Sequence, residues 1–141
     1  MLLTAVSINA NGEIILLAWA VVELENGPAW EWFLQHLHWS IPSLAGEAAT
    51  IISNRDKGLT KAQRVLGPLV VTAHCCYHLK GNFTEKFRQA MAPNFWNITH
   101  MKTWAAFDGA LNKLREKKPE AAQYLETAEP ETWVALLFVG Q

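Results

Sequence analysis

The chain has 141 residues, half of them apolar and 18% charged, with a formal net charge of −1. That length and composition suit one globular domain able to bury its own core, and they exclude a disordered tail. The two cysteines, Cys75 and Cys76, are adjacent; neighbours in sequence bridge only with backbone strain, which excludes a disulfide-framed secreted module.

Residues 2–8 read as a strand and Asn9-Ala10-Asn11-Gly12 as its turn. Glu13 to Glu23 reads as the returning strand of a hairpin. Its stretch Ile14–Val22 is apolar on both faces, so both are expected to be covered by helices or another layer. This is the longest apolar run, nine residues against the ~20 of a bilayer span, and no membrane partner is expected. Met1-Leu2-Leu3 carries no positive charge, so no signal peptide is expected.

Asn26-Gly27-Pro28 opens a helix whose inner face is Trp30, Phe33, Leu34 and Leu37, flanked by His36 and His38 and closed by Pro42. Ala48–Ser53 reads as a buried strand, followed by Asn54-Arg55-Asp56-Lys57-Gly58. A helix with Leu59, Ala62, Val65 and Leu66 inward stops at Gly67-Pro68. Leu69–Ala73 is a fourth strand that runs into His74-Cys75-Cys76-Tyr77-His78, and Leu79, Phe83 and Phe87 mark the next helix. Beyond Pro93 the pattern is helical, with a stripe of Trp104, Phe107, Leu111 and Leu114. Pro119 opens a further helix, and Pro130 a last one with Trp133, Leu136 and Leu137. This order predicts an α/β fold with a mixed sheet, flanking helices and a C-terminal all-helical part.

Charge is unevenly placed. Residues 1–54 hold five Glu and no Lys or Arg, whereas 55–88 hold Arg55, Lys57, Lys61, Arg64, Lys80, Lys86 and Arg88 against Asp56 and Glu85. Such a segment can attract a phosphate backbone, although amphipathic helices also carry basic residues on their wet faces.

Several ordered segments resemble the MULE transposase domain, the catalytic domain of eukaryotic Mutator-like DNA transposons. They are Leu2-Leu3-Thr4-Ala5-Val6, Glu13 to Glu23, Trp30-Glu31-Trp32-Phe33-Leu34, Thr50 to Leu59 and Cys75-x-x-His78-Leu79-x-x-Asn82-Phe83. The likeness extends to the stretch from Trp133 to Gly140. It implies an RNase H-like fold, partial in this chain, with residues 1–92 as an incomplete α/β core and 93–141 as a helical insertion. It also implies DNA as partner, a nuclear location, and an Asp-Asp-Glu set holding two Mg²⁺ ions for DNA cleavage and strand transfer.

Carried onto this sequence, that set is incomplete. By the resemblance, the first Asp belongs to a strand before Leu2, the second falls where this chain has Asn54, and the Glu belongs beyond Gln141. The chain is therefore expected to be a truncated fragment with no activity alone. An amide keeps a neutral oxygen but loses the charge that hard dications require. Asp56, two residues on, points the same way in an extended backbone and is a weak substitute; its plainer reading is a loop Asp between Arg55 and Lys57. Removing the central first-Asp strand would leave neighbouring strands with unpaired edges, an aggregation hazard, so either direct closure of the gap or partial disorder is expected, with self-association or missing flanking transposase segments as partners.

Cys75 and His78, at Cys-x-x-His spacing, could supply two zinc ligands, with Cys76 or His74 beside them. A closed site needs four, and only His36, His38 and His100 are available elsewhere, none in a paired motif. The plainer reading is a strand end ordered by a buried thiol and a hydrogen-bonded imidazole. Trp30, Trp104 and Trp133 lie on helical stripes and read as core; Trp32 and Trp39 are less constrained and could stack on bases. Three roles stand open: an inactive transposase piece, a domesticated nucleic-acid-binding or transcription-regulatory module using Arg55, Lys57, Lys61, Arg64 and Lys80, and a protein-interaction module without nucleic acid.

Overall fold

A computed structural model describes residues 1–46 and 49–134. Strands β1 (Leu2–Ile8) and β2 (Ile14–Val21) form the hairpin read from the sequence. Its turn is built by Asn9, whose Oδ1 accepts the N–H of Asn11 at 3.0 Å and of Glu13 at 2.9 Å. Gly12 sits at φ 80°, where a residue without Cβ is favoured.

Helix α1 (Gly27–Ser40) follows, then the short α2 (Ser43–Gly46), β3 (Thr50–Ser53) and α3 (Lys57–Ala62), which tightens into a 3₁₀ turn over Gln63–Leu66. Next come β4 (Val71–His74), α4 (Cys76–Phe87), a 3₁₀ turn at Gln89–Met91, α5 (Ala92–Thr99), α6 (Trp104–Lys117), α7 (Pro119–Glu126) and a 3₁₀ turn at Pro130–Thr132. Leu136 and Leu137 of the expected last helix, the stretch beyond Val134, and Ala48 of the expected third strand lie outside the described residues.

The α/β class is as expected, but the single mixed sheet is not what forms. The described strands make two separate pairs, β1 with β2 and β3 with β4. The first is antiparallel. The second is parallel: the Val71 N–H reaches Ala49 O at 2.8 Å and the Cys75 N–H reaches Ser53 O at 2.7 Å, so the bonds advance the same way along both strands.

The chain divides into two compact units, Met1–Ile51 with Asp56–Thr72, and Ile52–Arg55 with Ala73 onward. Residues 73–92, grouped with the α/β part on sequence, fall in the second unit. In the first, Leu3, Phe33, Leu34, Leu37, Leu59, Ala62, Leu66 and Val70 form the core. Asn26 caps α1, its Oδ1 accepting the Ala29 N–H at 2.9 Å. Gly58 starts α3 against Gly27 at the start of α1; a Cβ there would lie 2.9 Å from the Gly27 nitrogen, so only glycine permits this approach.

The hairpin corrects the expectation that β2 is covered on both faces. Leu3, Ala5, Ala18 and Ala20 turn inward onto the core that holds Phe33, Leu34 and Leu37 of α1. A bulge places Ala5 opposite Ala18 but Val6 opposite Leu16, so Leu17 is the extra residue. The outer face then carries the cross-strand pairs Leu2–Val21, Thr4–Trp19, Val6–Leu16 and Ile8–Ile14. Its large apolar members are 55–74% exposed.

The second unit closes around Leu79, Phe83, Phe95, Ile98, Leu114, Leu125 and Trp133, supplied by α4 to α7 and the turn after them. Phe95 and Trp133 stack at 5.8 Å, and the Trp133 indole N–H donates to Ala128 O at 2.9 Å, so a buried ring keeps its polar atom paired. Arg115 of α6 pairs with Glu126 of α7 at the surface. Of the three tryptophans read as core, Trp133 is buried, Trp30 half-buried and Trp104 exposed. Trp104 is the first residue of α6, so its side chain overhangs the core while Phe107 fills it, ring to ring at 5.7 Å.

Candidate functional site

Two parallel strands end close together in sequence register, and the candidate residues follow their carboxyl ends, where ligands gather in α/β folds. β3 delivers Ser53, Asn54 and Arg55, and β4 delivers His74 and Cys75. Asn54 is exposed and Arg55 half-buried. The Ser53 hydroxyl donates to the Asn54 carbonyl at 3.0 Å, which holds the chain as it leaves the strand.

Asp56 has a structural task. It is the N-cap of α3, with Oδ1 accepting the Leu59 N–H at 3.0 Å and its carbonyl accepting both the Thr60 N–H and the Thr60 hydroxyl. A carboxylate at a helix N-terminus satisfies an orphan donor and the helix dipole. The sequence pattern Asp-x-x-Leu gives this cap no more prominence than a loop Asp between two cations.

His74 is 7% exposed, and its Nδ1 has no hydrogen-bond partner among the described residues. Burial holds its imidazole below the ordinary histidine range; the Arg55 guanidinium lowers it further, and Glu129 opposes both. Glu129 takes a left-handed backbone, φ 58° and ψ 71°. Nothing in the sequence marks Glu129 as a neighbour of His74, since 55 positions separate them.

The Cys-x-x-His segment opens α4. Cys75 is the N-cap residue, with no side-chain cap bond. The Cys76 thiol donates to the Trp133 carbonyl at 3.0 Å, and burial, with Cys75 next in effect, pushes its ionisation up. His78 is exposed, in the first turn of the helix.

Among the described residues, no group of three or more His, Cys, Asp or Glu side chains is placed to hold a metal ion. The donor chemistry around Asn54 also differs from what two Mg²⁺ ions need: a neutral amide, a guanidinium, an imidazole and thiols, with Asp56 capping α3 and Glu129 the carboxylate that acts on His74. The residues present do not fit that pair of ions.

The basic candidates divide between the units. Lys57, Lys61 and Arg64 are exposed on α3 and its 3₁₀ extension, spaced i, i+4 and i+7. Such spacing sets them in one row. Arg55 and Lys80 belong to the second unit, and the Lys80 ammonium lies 5.0 Å over the Tyr77 ring. A further row lies on α1. The rings of Trp32, His36 and Trp39 follow one another at 4.7 and 5.3 Å, tilted by 43° and 57°, with Trp32 48% and Trp39 68% exposed. Their i, i+4, i+7 spacing is the signal that finds this ladder. Helix α1 itself carries no Lys or Arg, but α3, which packs against α1 in the same unit, carries the basic row.

No helix of the described residues is long and apolar enough to cross a membrane. Residues 1–82 match the MULE transposase domain, more than half of the chain. The match spans the hairpin, α1, β3, Asn54, α3, β4 and the Cys-x-x-His segment. No curated protein matches the chain.

Proposed function

The chain belongs to the MULE transposase domain family, and from that premise we propose that it is a transposase-derived domain that does not itself cut DNA. The observation that carries this is Asn54 at the exit of β3, the position to which the resemblance gives an aspartate. Losing one carboxylate of a two-metal set removes a full negative charge from between two dications. Asp56 does not make up the loss: Oδ1 is engaged in capping α3, and the Arg55 side chain follows Asn54 directly.

The full chain incubated with supercoiled DNA and Mg²⁺ or Mn²⁺ is expected to produce no nicked circles above buffer. Nicking that disappears in Asp56→Ala would overturn this reading.

A second reading has the domain holding DNA without cutting it, as a nucleic-acid-binding or regulatory module in the nucleus. It is favoured by the exposed row of Lys57, Lys61 and Arg64. Three phosphate contacts give a log–log salt slope of about −3, or a loss of about 40-fold between roughly 50 and 200 mM salt. Replacing all three with Gln should abolish that slope. No binding at low salt would leave a protein-interaction role in its place.

A further inference from the structure

The most unusual surface of the molecule is the outer face of the β1–β2 hairpin. Eleven of the seventeen exposed large apolar residues among those described lie between Met1 and Leu24. Seven of them, Leu2, Val6, Ile8, Ile14, Leu16, Trp19 and Val21, fill seven of the eight outward positions, and Thr4 fills the eighth. The face carries no charge. The strands themselves hold no Lys and no Pro, the residues with which exposed sheets usually guard themselves.

The area is large enough to matter. These seven side chains, each more than half exposed, leave on the order of 800 Å² of apolar surface in water, about what each partner brings to a stable complex. The largest apolar patch on an ordinary monomer is about 300–600 Å². At the end of β2 the apolar face gives way to an open cleft of about 430 Å³, where Val21, Leu24, Ala29 and Trp32 are joined by Glu23 and Asn26.

The chemistry of the face selects its occupant. A nucleic acid would meet eight outward side chains none of which is a cation. An anionic lipid surface would meet the same deficit. A partner presenting charges would have to desolvate them against Leu, Ile and Val. What fits is a second uncharged apolar sheet face of the same extent. We propose that the outer hairpin faces of two copies of this chain pack against each other about a two-fold axis, sheet on sheet, forming a dimer.

A two-fold makes the contact isologous, so one patch serves both copies and the assembly closes at two. The sheets would pack about 10 Å apart, with side chains of the two outer faces interdigitating. Leu16 and Trp19, in the middle rows of the face, would be at the centre of the contact. Because these side chains contribute nothing to the core of the first unit, the fold of a single copy does not depend on them.

Sedimentation of the full chain from about 1 to 100 µM is expected to show a discrete monomer–dimer equilibrium. Leu16→Lys should weaken it by about 100-fold or more, the effect of burying an unpaired charge at an interface. Trp104→Lys, which changes an exposed ring on α6 of the second unit, should leave the dimer intact. Circular dichroism confirms that each variant is folded; should Leu16→Lys not fold, Thr4→Lys places the same charge at the polar position of the face. The proposal is overturned by a monomer at every concentration, by a dimer indifferent to the charge at position 16 or 4, or by open-ended larger species in place of a dimer.

Discussion

The second compact unit buries most of its large rings, with Trp104 and Tyr77 left exposed, whereas the first leaves most of its own in the open and buries Phe33. In the second, Trp133 is 1% exposed, Phe83 and Phe95 are fully buried, and the rings of Phe83, Phe87, Phe95 and Trp133 contact one another in one helical core. In the first, Trp19, Trp32 and Trp39 are 63%, 48% and 68% exposed. The difference follows from architecture. Four helices can surround a shared centre, so every apolar stripe finds a partner. A two-stranded hairpin has two faces, and α1 covers one. A strand that is apolar on both sides then leaves its second face to the solvent or to another molecule.

This contrast can be tested first where the effect is largest. Trp133→Ala removes the ring at the centre of the second unit and leaves the Ala128 carbonyl without its indole donor. It should cost about 3–5 kcal/mol, read as a fall in the denaturant midpoint. A loss under about 1 kcal/mol would mean that the helical core is not organised around this residue.

A smaller effect belongs to His74. Burial and Arg55 hold its folded-state ionisation below the unfolded value, so the unfolded chain binds the extra proton first as pH falls. Stability should be undiminished above about pH 6.5, decline as pH drops through that value, and level off below the depressed folded value. His74→Gln should flatten this decline. Thermal melts across that window check it, and stability that rises on acidification through it would contradict the assignment.

The smallest effect is expected on the hairpin. Trp19→Thr keeps a good strand former on the outer face, and in the dilute monomer it should change stability by less than about 0.5 kcal/mol. A loss comparable with that of Trp133→Ala would show that the outer face is covered within a single copy, and would erase the contrast between the units.

Much of this fold is legible in the sequence. The Asn9–Gly12 turn, the α1 stripe of Phe33, Leu34 and Leu37, and the helices around Phe83 and Leu114 all sit where periodicity and caps place them. Sheet assembly is not legible, because apolar alternation tells which face of a strand is apolar and says nothing of what packs on it. Trp104 shows the same limit: its spacing joins the α6 stripe, but its place in the first turn takes it off the core. Of the site, Asn54 and the basic row are visible in one dimension. The capping bond of Asp56 and the pairing of the Cys76 thiol with Trp133 are contacts of the folded chain. The second joins positions 57 apart and left no pattern to read.

The central functional claim is that Asn54 breaks the family's carboxylate set, and divalent-ion binding tests it most directly. In a titration of the full chain with Mn²⁺ followed by electron paramagnetic resonance, the signal of the free ion should rise in proportion to the metal added, as it does in buffer. Micromolar binding that is lost in Asp56→Ala would contradict the account, because it would show that Asp56 supplies the charge that Asn54 lacks.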